Sequence, residues 1–275
     1  MIKRIGIEFI EGCGILGADL SIKSLQDMLV FDEILSIDPS LQKDEDPLYL
    51  SAVSDFCQII KSTIKRIISE GHFPLVFGGD HALAIGSVSG SLTKETGVLW
   101  IDAHGDCNTE LSSISRRIHG MPLATLQGHG HRRLTEINDV VLKSNHILQI
   151  GTHLLDQQEA IQMKEWGVRS IMMDEIRTLG LEWMIQEVKQ FMDKYPKIHI
   201  SFDCDSVDPS DAPGVNTPCK NGFTQEEILS ILNAITFESV ASMDIVEYNP
   251  LTDNGKTKAM ILTIDALVHH KKGLI

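Results

Sequence analysis

Two stretches of this chain set acidic and imidazole side chains at alternate positions directly after apolar runs. In Trp100-Ile101-Asp102-Ala103-His104-Gly105-Asp106, an extended backbone with its period of two would bring Asp102, His104 and Asp106 to one side. In Ser201-Phe202-Asp203-Cys204-Asp205-Ser206-Val207-Asp208-Pro209 the same rule pairs Asp203 with Asp205 and turns Cys204 away. A third segment, Phe77-Gly78-Gly79-Asp80-His81, uses two glycines to turn sharply and presents His81 at the end of another apolar run. An ionised Asp at the end of a buried strand needs a cation or strong hydrogen bonds, because desolvating a charge is costly. Asp102, Asp106, Asp203 and Asp205 would repel one another unless metal compensated them, and two divalent ions supply the required charge. His81 and His104 complete a mixed nitrogen and oxygen set free of thiolate, which favours Mn²⁺ over a structural zinc. Either Asp motif alone is equally consistent with capping of a helix or turn. Together they predict a binuclear centre with two Mn²⁺ per chain.

Other polar residues have plainer readings when taken alone. His119, in Ile118-His119-Gly120, could cap the helix that Met121 to Gln127 suggests, and Glu247, in Glu247-Tyr248-Asn249-Pro250, could be a strand-end charge paired with a Lys. His129 and His131 read as exposed loop residues, and His269, His270, Lys271 and Lys272 as a solvated helix end. Cys107 and Cys204 lie beside the acidic clusters but suit packing as small apolar residues. The Gly78-Gly79 turn is no dinucleotide fingerprint, because GxGxxG is absent.

These clusters need a frame, and the pattern of the chain supplies one. Apolar runs at Ile2 to Ile10, Phe73 to Phe77, Val98 to Ala103, His146 to Ile150, Ser170 to Met173, Ile198 to Phe202 and Ser239 to Val246 read as strands of a parallel sheet. Helical patterns lie between most of them. Leu48 to Glu70 places Val53, Phe56, Ile60, Ile64, Ile67 and Ile68 on one face, with Gly71 as the stop. The irregular stretches are Glu110 to Ile118, Gly128 to Arg133 and Asp205 to Gly222, and each follows a predicted element directly. This predicts one α/β domain over residues 1–275 with helices on both faces of the sheet and chemistry at the carboxyl ends of the strands.

Composition narrows the function classes. The 275 residues carry 24 Lys plus Arg against 38 Asp plus Glu, a formal net charge of −14, so no nucleic-acid partner is expected. Arg132 and Arg133 after His131 are too few to form a basic stripe. No apolar stretch approaches the ~18 residues that span a bilayer, so no membrane partner is expected either. After Lys3 and Arg4 the apolar run is interrupted by Glu8 and Glu11, which argues against a signal peptide. Cys13, Cys57, Cys107, Cys204 and Cys219 are odd in number and irregularly spaced, which argues against a disulfide framework and for a reducing cytoplasm.

GGDH, WIDAHGDCNT, IHGMP, SFDCDSVDPSDAPGVNTP and DIVEYNP, in this order from Gly78 to Pro250, resemble the signature segments of the ureohydrolases, the arginase and agmatinase family. The resemblance implies a single-domain, three-layer α/β fold with an eight-stranded parallel sheet. It also implies a binuclear manganese centre that hydrolyses a guanidino group to urea through hydroxide held between the ions. Carried over to this chain, His81, Asp102, Asp106 and Asp203 would hold one manganese, and His104, Asp102, Asp203 and Asp205 the other. Asp106 would pass a proton to the leaving amine, His119 would shuttle protons, and Glu247 would bind the substrate guanidinium. Assembly into trimers or hexamers is common in the family, so a homo-oligomer is expected.

Within that resemblance the substrate side looks most like arginase. Arginine presents an α-ammonium and α-carboxylate pair that agmatine lacks. Asn108, in Cys107-Asn108-Thr109, and Ser115, four residues before His119, correspond to arginase residues that receive the carboxylate. Asp156 falls where arginases place the acid that meets the ammonium, and Thr217, in Asn216-Thr217-Pro218, matches a pocket threonine. The expected reaction is L-arginine to L-ornithine and urea. Agmatinase, formiminoglutamase or another guanidino-acid hydrolase is the nearest alternative. A zinc deacetylase of the same fold would use one metal, and a non-catalytic metal-dependent binding protein would be expected to lose a residue such as His119 or Glu247.

Overall fold

Strands that are apolar at nearly every position, such as Phe73–Phe77 and Thr96–Ile101, are buried along their whole length, which requires cover on both faces. The computed structural model describes residues 1–37 and 49–273. Among them β1 (Ile2–Glu8), β2 (Glu33–Ser36), β3 (Phe73–Phe77), β4 (Thr96–Ile101), β5 (Ile147–Ile150), β6 (Arg169–Ile171), β7 (Lys197–Asp203) and β8 (Val240–Val246) form one eight-stranded sheet. Its order is β2-β1-β3-β8-β7-β4-β5-β6, and every pairing is parallel.

The helices are α1 (Ser21–Leu25), α2 (Leu50–Ser69), α3 (Ala84–Ser91), α4 (Pro122–Leu126), α5 (Arg132–Thr135), α6 (Gln157–Trp166), α7 (Met173–Leu179), α8 (Leu181–Met192), α9 (Gln225–Ala234) and α10 (Lys256–Lys271). On one face Leu75, Phe77, Ile200, Phe202, Met243 and Ile245 pack with Ile185 and Val188 of α8, Ile231 of α9 and Ile264 of α10. On the other, Ile5, Ile7, Val76 and Val246 meet Val53, Phe56, Ile60 and Ile64 of α2, while Val98 and Trp100 meet Val88 of α3 and Leu123 of α4. Each side chain buried in this way contributes roughly 1.5–3 kcal/mol of transfer free energy. The expected stripe of α2 is the buried one except at Ile68, which is half-buried, and the helix ends as Gly71 takes a positive φ of 78° and donates to Ile68 O at 3.0 Å. The expected first residue, Leu48, lies outside the described residues.

Several expectations need correction. β2 was not foreseen: its alternately exposed Glu33–Ser36 lies at a sheet edge, where little apolar signal is required. β4 stops at Ile101, so Asp102 to Asp106 do not alternate along a strand, and Asp106 sits at φ 51°. Met173 starts α7 instead of ending β6, and Arg132 and Arg133 open α5 instead of closing a loop. His129 is half-buried and stacks on Trp166 with ring centroids 3.9 Å apart, and His131 is also only partly exposed. Lys272 is not freely solvated: its Nζ donates to Phe237 O at 2.7 Å and Val240 O at 2.5 Å and lies 4.5 Å over the Phe73 ring. Burial pushes its pKa down to about 8.

Among the described residues all five cysteines are free and buried, and no helix is long and apolar enough to cross a membrane. Four adjacent central strands, β3, β8, β7 and β4, end on one side of the sheet, and their carboxyl ends deliver Gly78 to His81, Glu247, Asp203 to Asp205, and Asp102 to Asp106.

Candidate metal centre and substrate pocket

The turn after β3 depends on its glycines. Gly78 and Gly79 have φ of 88° and 76°, and a Cβ on Gly78 would lie 2.4 Å from Ser21 Oγ and 2.9 Å from Ile7 O. The turn delivers His81, which is 1% exposed and stacks on Trp100 with centroids 4.3 Å apart and planes 9° apart. Its Nδ1 lies 3.1 Å from Asp102 Oδ2, 3.0 Å from Asp106 Oδ2 and 3.0 Å from Asp203 Oδ2. His104 Nδ1 lies 3.5 Å from Asp102 Oδ1 and 3.2 Å from Asp205 Oδ2. Two groups of potential ligand atoms result, His81 with Asp102 and Asp106, and Asp102 with His104 and Asp205, so Asp102 belongs to both.

Secondary contacts fix these side chains. Trp100 Nε1 donates to Asp102 Oδ2 at 3.0 Å, His104 N to Asp102 Oδ1 at 2.8 Å, and Asp205 N to Asp203 Oδ1 at 2.7 Å. Thr217 Oγ1 donates to Asp205 Oδ2 at 2.7 Å, so this expected pocket residue orients a carboxylate of the cluster. The backbone carbonyl of Asp106 accepts from Leu123 N and Ala124 N at the start of α4. What remains is telling: His81 Nδ1, Asp106 Oδ2 and Asp205 Oδ1 are buried without a hydrogen-bond partner. An imidazole nitrogen among carboxylate oxygens, with further oxygens unsatisfied, is the donor set a hard or borderline divalent cation takes, and the residues fit such ions.

The electrostatics say the same. Burial, then the charge of Asp102, pushes Asp106 up to about 8, and burial with Asp205 and Asp102 pushes Asp203 well above the carboxylate range. Burial opposes charge on His81 and His104, but the carboxylates beside them outweigh it and raise both. Without cations, the cluster can therefore balance its charge only by retaining protons.

The cluster forms the floor of a cavity of about 250 Å³ that Asn108, Ser115, Arg117, His119, Leu154, Asp156, Glu159, Thr217 and Glu247 also line. Glu247 is 1% exposed, sits at φ 62°, and accepts from His81 N at 2.9 Å and from His119 Nδ1 at 3.1 Å through Oε1. Its Oε2 is buried and unpartnered. Burial would raise the Glu247 carboxyl, but His119 holds it below the ordinary value. Ser115 and Asp156 are exposed and belong to the rim. All the expected site residues thus converge on one place, with Asp102 beneath the cavity surface. Arg117 and Glu159 were missed by sequence reasoning. Arg117 stands two residues before His119 and could have been read as a rim cation, whereas nothing local marks Glu159.

The model of the Arginase family matches residues 13–269. The arginase of Bacillus caldovelox is 37% identical over 218 residues, covering 77% of this chain and 73% of that protein. The arginase of Bacillus subtilis is 35% identical over 238 residues, covering 84% and 80%. Among solved structures, Entamoeba histolytica arginase in complex with L-ornithine superposes with a TM-score of 0.89 at 26% identity, covering 97% of each chain. Sequence match over most of the chain, the shared parallel sheet and the acidic cluster at its strand ends lead to one conclusion: this chain belongs to the arginase family, hydrolases that act on guanidino substrates.

Proposed function

We propose that the protein hydrolyses L-arginine to L-ornithine and urea, with two Mn²⁺ held by His81, Asp102, Asp106 and Asp203 and by His104, Asp102, Asp203 and Asp205. The observation that carries the metal reading is the trio of buried, unpartnered atoms, His81 Nδ1, Asp106 Oδ2 and Asp205 Oδ1, in a cluster otherwise held by hydrogen bonds. Bound ions supply Lewis acidity and make water a usable nucleophile near neutral pH. The chain's own groups do the rest. Glu247 Oε2, buried and unpaired, receives an N–H of the substrate guanidinium and orients its carbon toward the cluster. Asp106, through the carboxylate oxygen that does not face the cation, takes the proton of the attacking water and delivers it to the amine that leaves as the C–N bond breaks. His119 donates through Nδ1 to Glu247, which leaves Nε2 to exchange protons with solvent at the rim.

Arginine is favoured over agmatine by the rim. Asn108 and Ser115 offer neutral donors and Arg117 a permanent cation to a carboxylate, while Asp156 offers an anion to an ammonium. The arginase of Entamoeba histolytica in complex with L-ornithine, an amino acid with both groups, supports the same choice. Urea release from the Mn²⁺-loaded protein, measured in parallel with arginine, agmatine and guanidinobutyrate, tests the reading. A kcat/KM at least ~100-fold higher for arginine is expected. Equal values for arginine and agmatine would remove the substrate assignment, and no urea from any of the three would remove the reaction.

A further inference from the structure

Behind His81 runs a buried polar chain with no part in the chemistry above. His81 Nε2 lies 2.9 Å from Ser201 Oγ in β7, and Ser201 Oγ donates to Asp244 Oδ1 in β8 at 2.5 Å. The other oxygen, Asp244 Oδ2, accepts from Ser87 Oγ of α3 and from His199 Nε2 at 2.9 Å. Ser87, His199, Ser201 and Asp244 are all 0% exposed. A carboxylate in the middle of a sheet is costly, and replacing such groups by apolar ones is often neutral or stabilising for the fold. Stability alone therefore does not account for it.

The directions of the hydrogen bonds do. Three donors converge on Asp244, Ser201 Oγ on Oδ1 and His199 Nε2 and Ser87 Oγ on Oδ2, so both of its oxygens serve as acceptors only. Ser201 has a single hydroxyl hydrogen, which must point at Asp244. Toward His81 it can then offer only a lone pair, so His81 Nε2 must carry a hydrogen. We propose that Asp244 is a positioning residue that, through Ser201, keeps the His81 proton on Nε2 and the Nδ1 electron pair aimed at the candidate metal site. This rests on the metal part of the proposed function, though not on its substrate.

The test titrates Mn²⁺ into the metal-free protein by calorimetry, with elemental analysis of the loaded forms, for wild type, Ser201→Ala, Asp244→Asn and the double variant. Wild type is expected to take two ions. Each single variant should bind one of them ~10- to 100-fold more weakly, as lost outer hydrogen bonds to a ligating imidazole do. The double variant should be no worse than the weaker single, because Asp244 acts only through Ser201. In the diamagnetic Zn²⁺-loaded protein, the ¹⁵N-coupled proton of His81 Nε2 should be seen in wild type and lost or exchange-broadened in Ser201→Ala. Ser242→Ala, which alters only the His199 end at 2.7 Å, should leave both ions in place. Wild-type affinities in both folded single variants, or additive losses in the double, would overturn the proposal. Should Asp244→Asn fail to fold, the Ser201→Ala titration and proton signal decide. Loss of metal as described but no urea from any guanidino compound would remove the substrate reading and leave this one standing. A wild-type protein that binds no divalent ion would remove both.

Discussion

Asp106 and Glu247 share a backbone conformation that side-chain-bearing residues rarely adopt, with φ of 51° and 62°. Holding a non-glycine residue there costs of order 1–3 kcal/mol and persists only where neighbours enforce it. Leu123 N and Ala124 N fix the carbonyl of Asp106, and Gly79 O accepts from Glu247 N at 2.9 Å. Asn tolerates the same region, so Asp106→Asn isolates chemistry from backbone. Its amide oxygen can still face a cation but cannot accept the proton. A kcat loss of ~10²- to 10⁴-fold with most of the metal retained is expected, checked by turnover and elemental analysis on the same sample. Near wild-type turnover would withdraw the proton role. Arg117 makes a different prediction. A hydrogen bond to a charged group is worth about 1.5–3 kcal/mol, so Arg117→Ala should cut kcat/KM for arginine ~10- to 100-fold, mostly through KM. Agmatine, lacking the carboxylate, should lose nothing comparable. Equal losses would place Arg117 outside substrate selection.

At the scale of elements, α3 must lie close to α2 for Ser87 to reach the sheet. Gly86 and Gly90 make that approach possible: a Cβ on Gly86 would lie 2.6 Å from Cys57 O, and one on Gly90 2.7 Å from Lys61 O. Ala in place of Gly gains about 1 kcal/mol of helix propensity, but a contact that short with backbone forces the helices apart. Overpacking costs typically ~1–3 kcal/mol, so Gly86→Ala should destabilise, read as a lower denaturant midpoint; a raised midpoint would show slack between the helices. Glu159 ties the start of α6 to the loop after β4, accepting from Cys107 N at 3.0 Å and Asp156 N at 3.3 Å. Burial raises its pKa from 4.5 to about 7. The folded state then holds a proton that the unfolded chain has released, so this contribution to stability falls as pH rises from 4.5 through 7 and is flat above. Glu159→Gln should flatten that part of the unfolding profile, and an unchanged slope would locate the titration elsewhere. Buried strands and the stripe of α2 were legible because hydrophobic period carries them. β2 and the left-handed Asp106 were not, since an exposed edge and a single dihedral leave no period. The polar alternation His199, Ser201, Asp203 within an apolar strand was a readable sign of the chain behind His81, overshadowed by its last member.

Across the whole molecule, the candidate centre exists only when the ends of β3, β4, β7 and β8 lie side by side, an arrangement that joins residues as far apart in sequence as His81 and Glu247. The sequence motifs identify these residues, but only the sheet order β3-β8-β7-β4 explains why segments scattered over the chain share one cavity. The unfolded chain has no such site. Ions that bind the native state alone therefore stabilise it in proportion to the logarithm of their concentration, by about 2.7 kcal/mol for a site at a hundred times its dissociation constant. With roughly 2–4 °C per kcal/mol for a chain somewhat below this size, saturating Mn²⁺ should raise Tm by on the order of 5–10 °C per site, and a chelator should reverse it. The four carboxylates also add to a net charge of −14, and their mutual repulsion is the part of that burden the ions neutralise directly. His81→Ala and His104→Ala should each blunt the Mn²⁺ response, and the double variant should abolish it, while added Na⁺ at equal ionic strength gives no such shift. If Tm instead rises equally with Mn²⁺ and with Na⁺, the ions only screen the acidic surface, and no specific centre links the four strands.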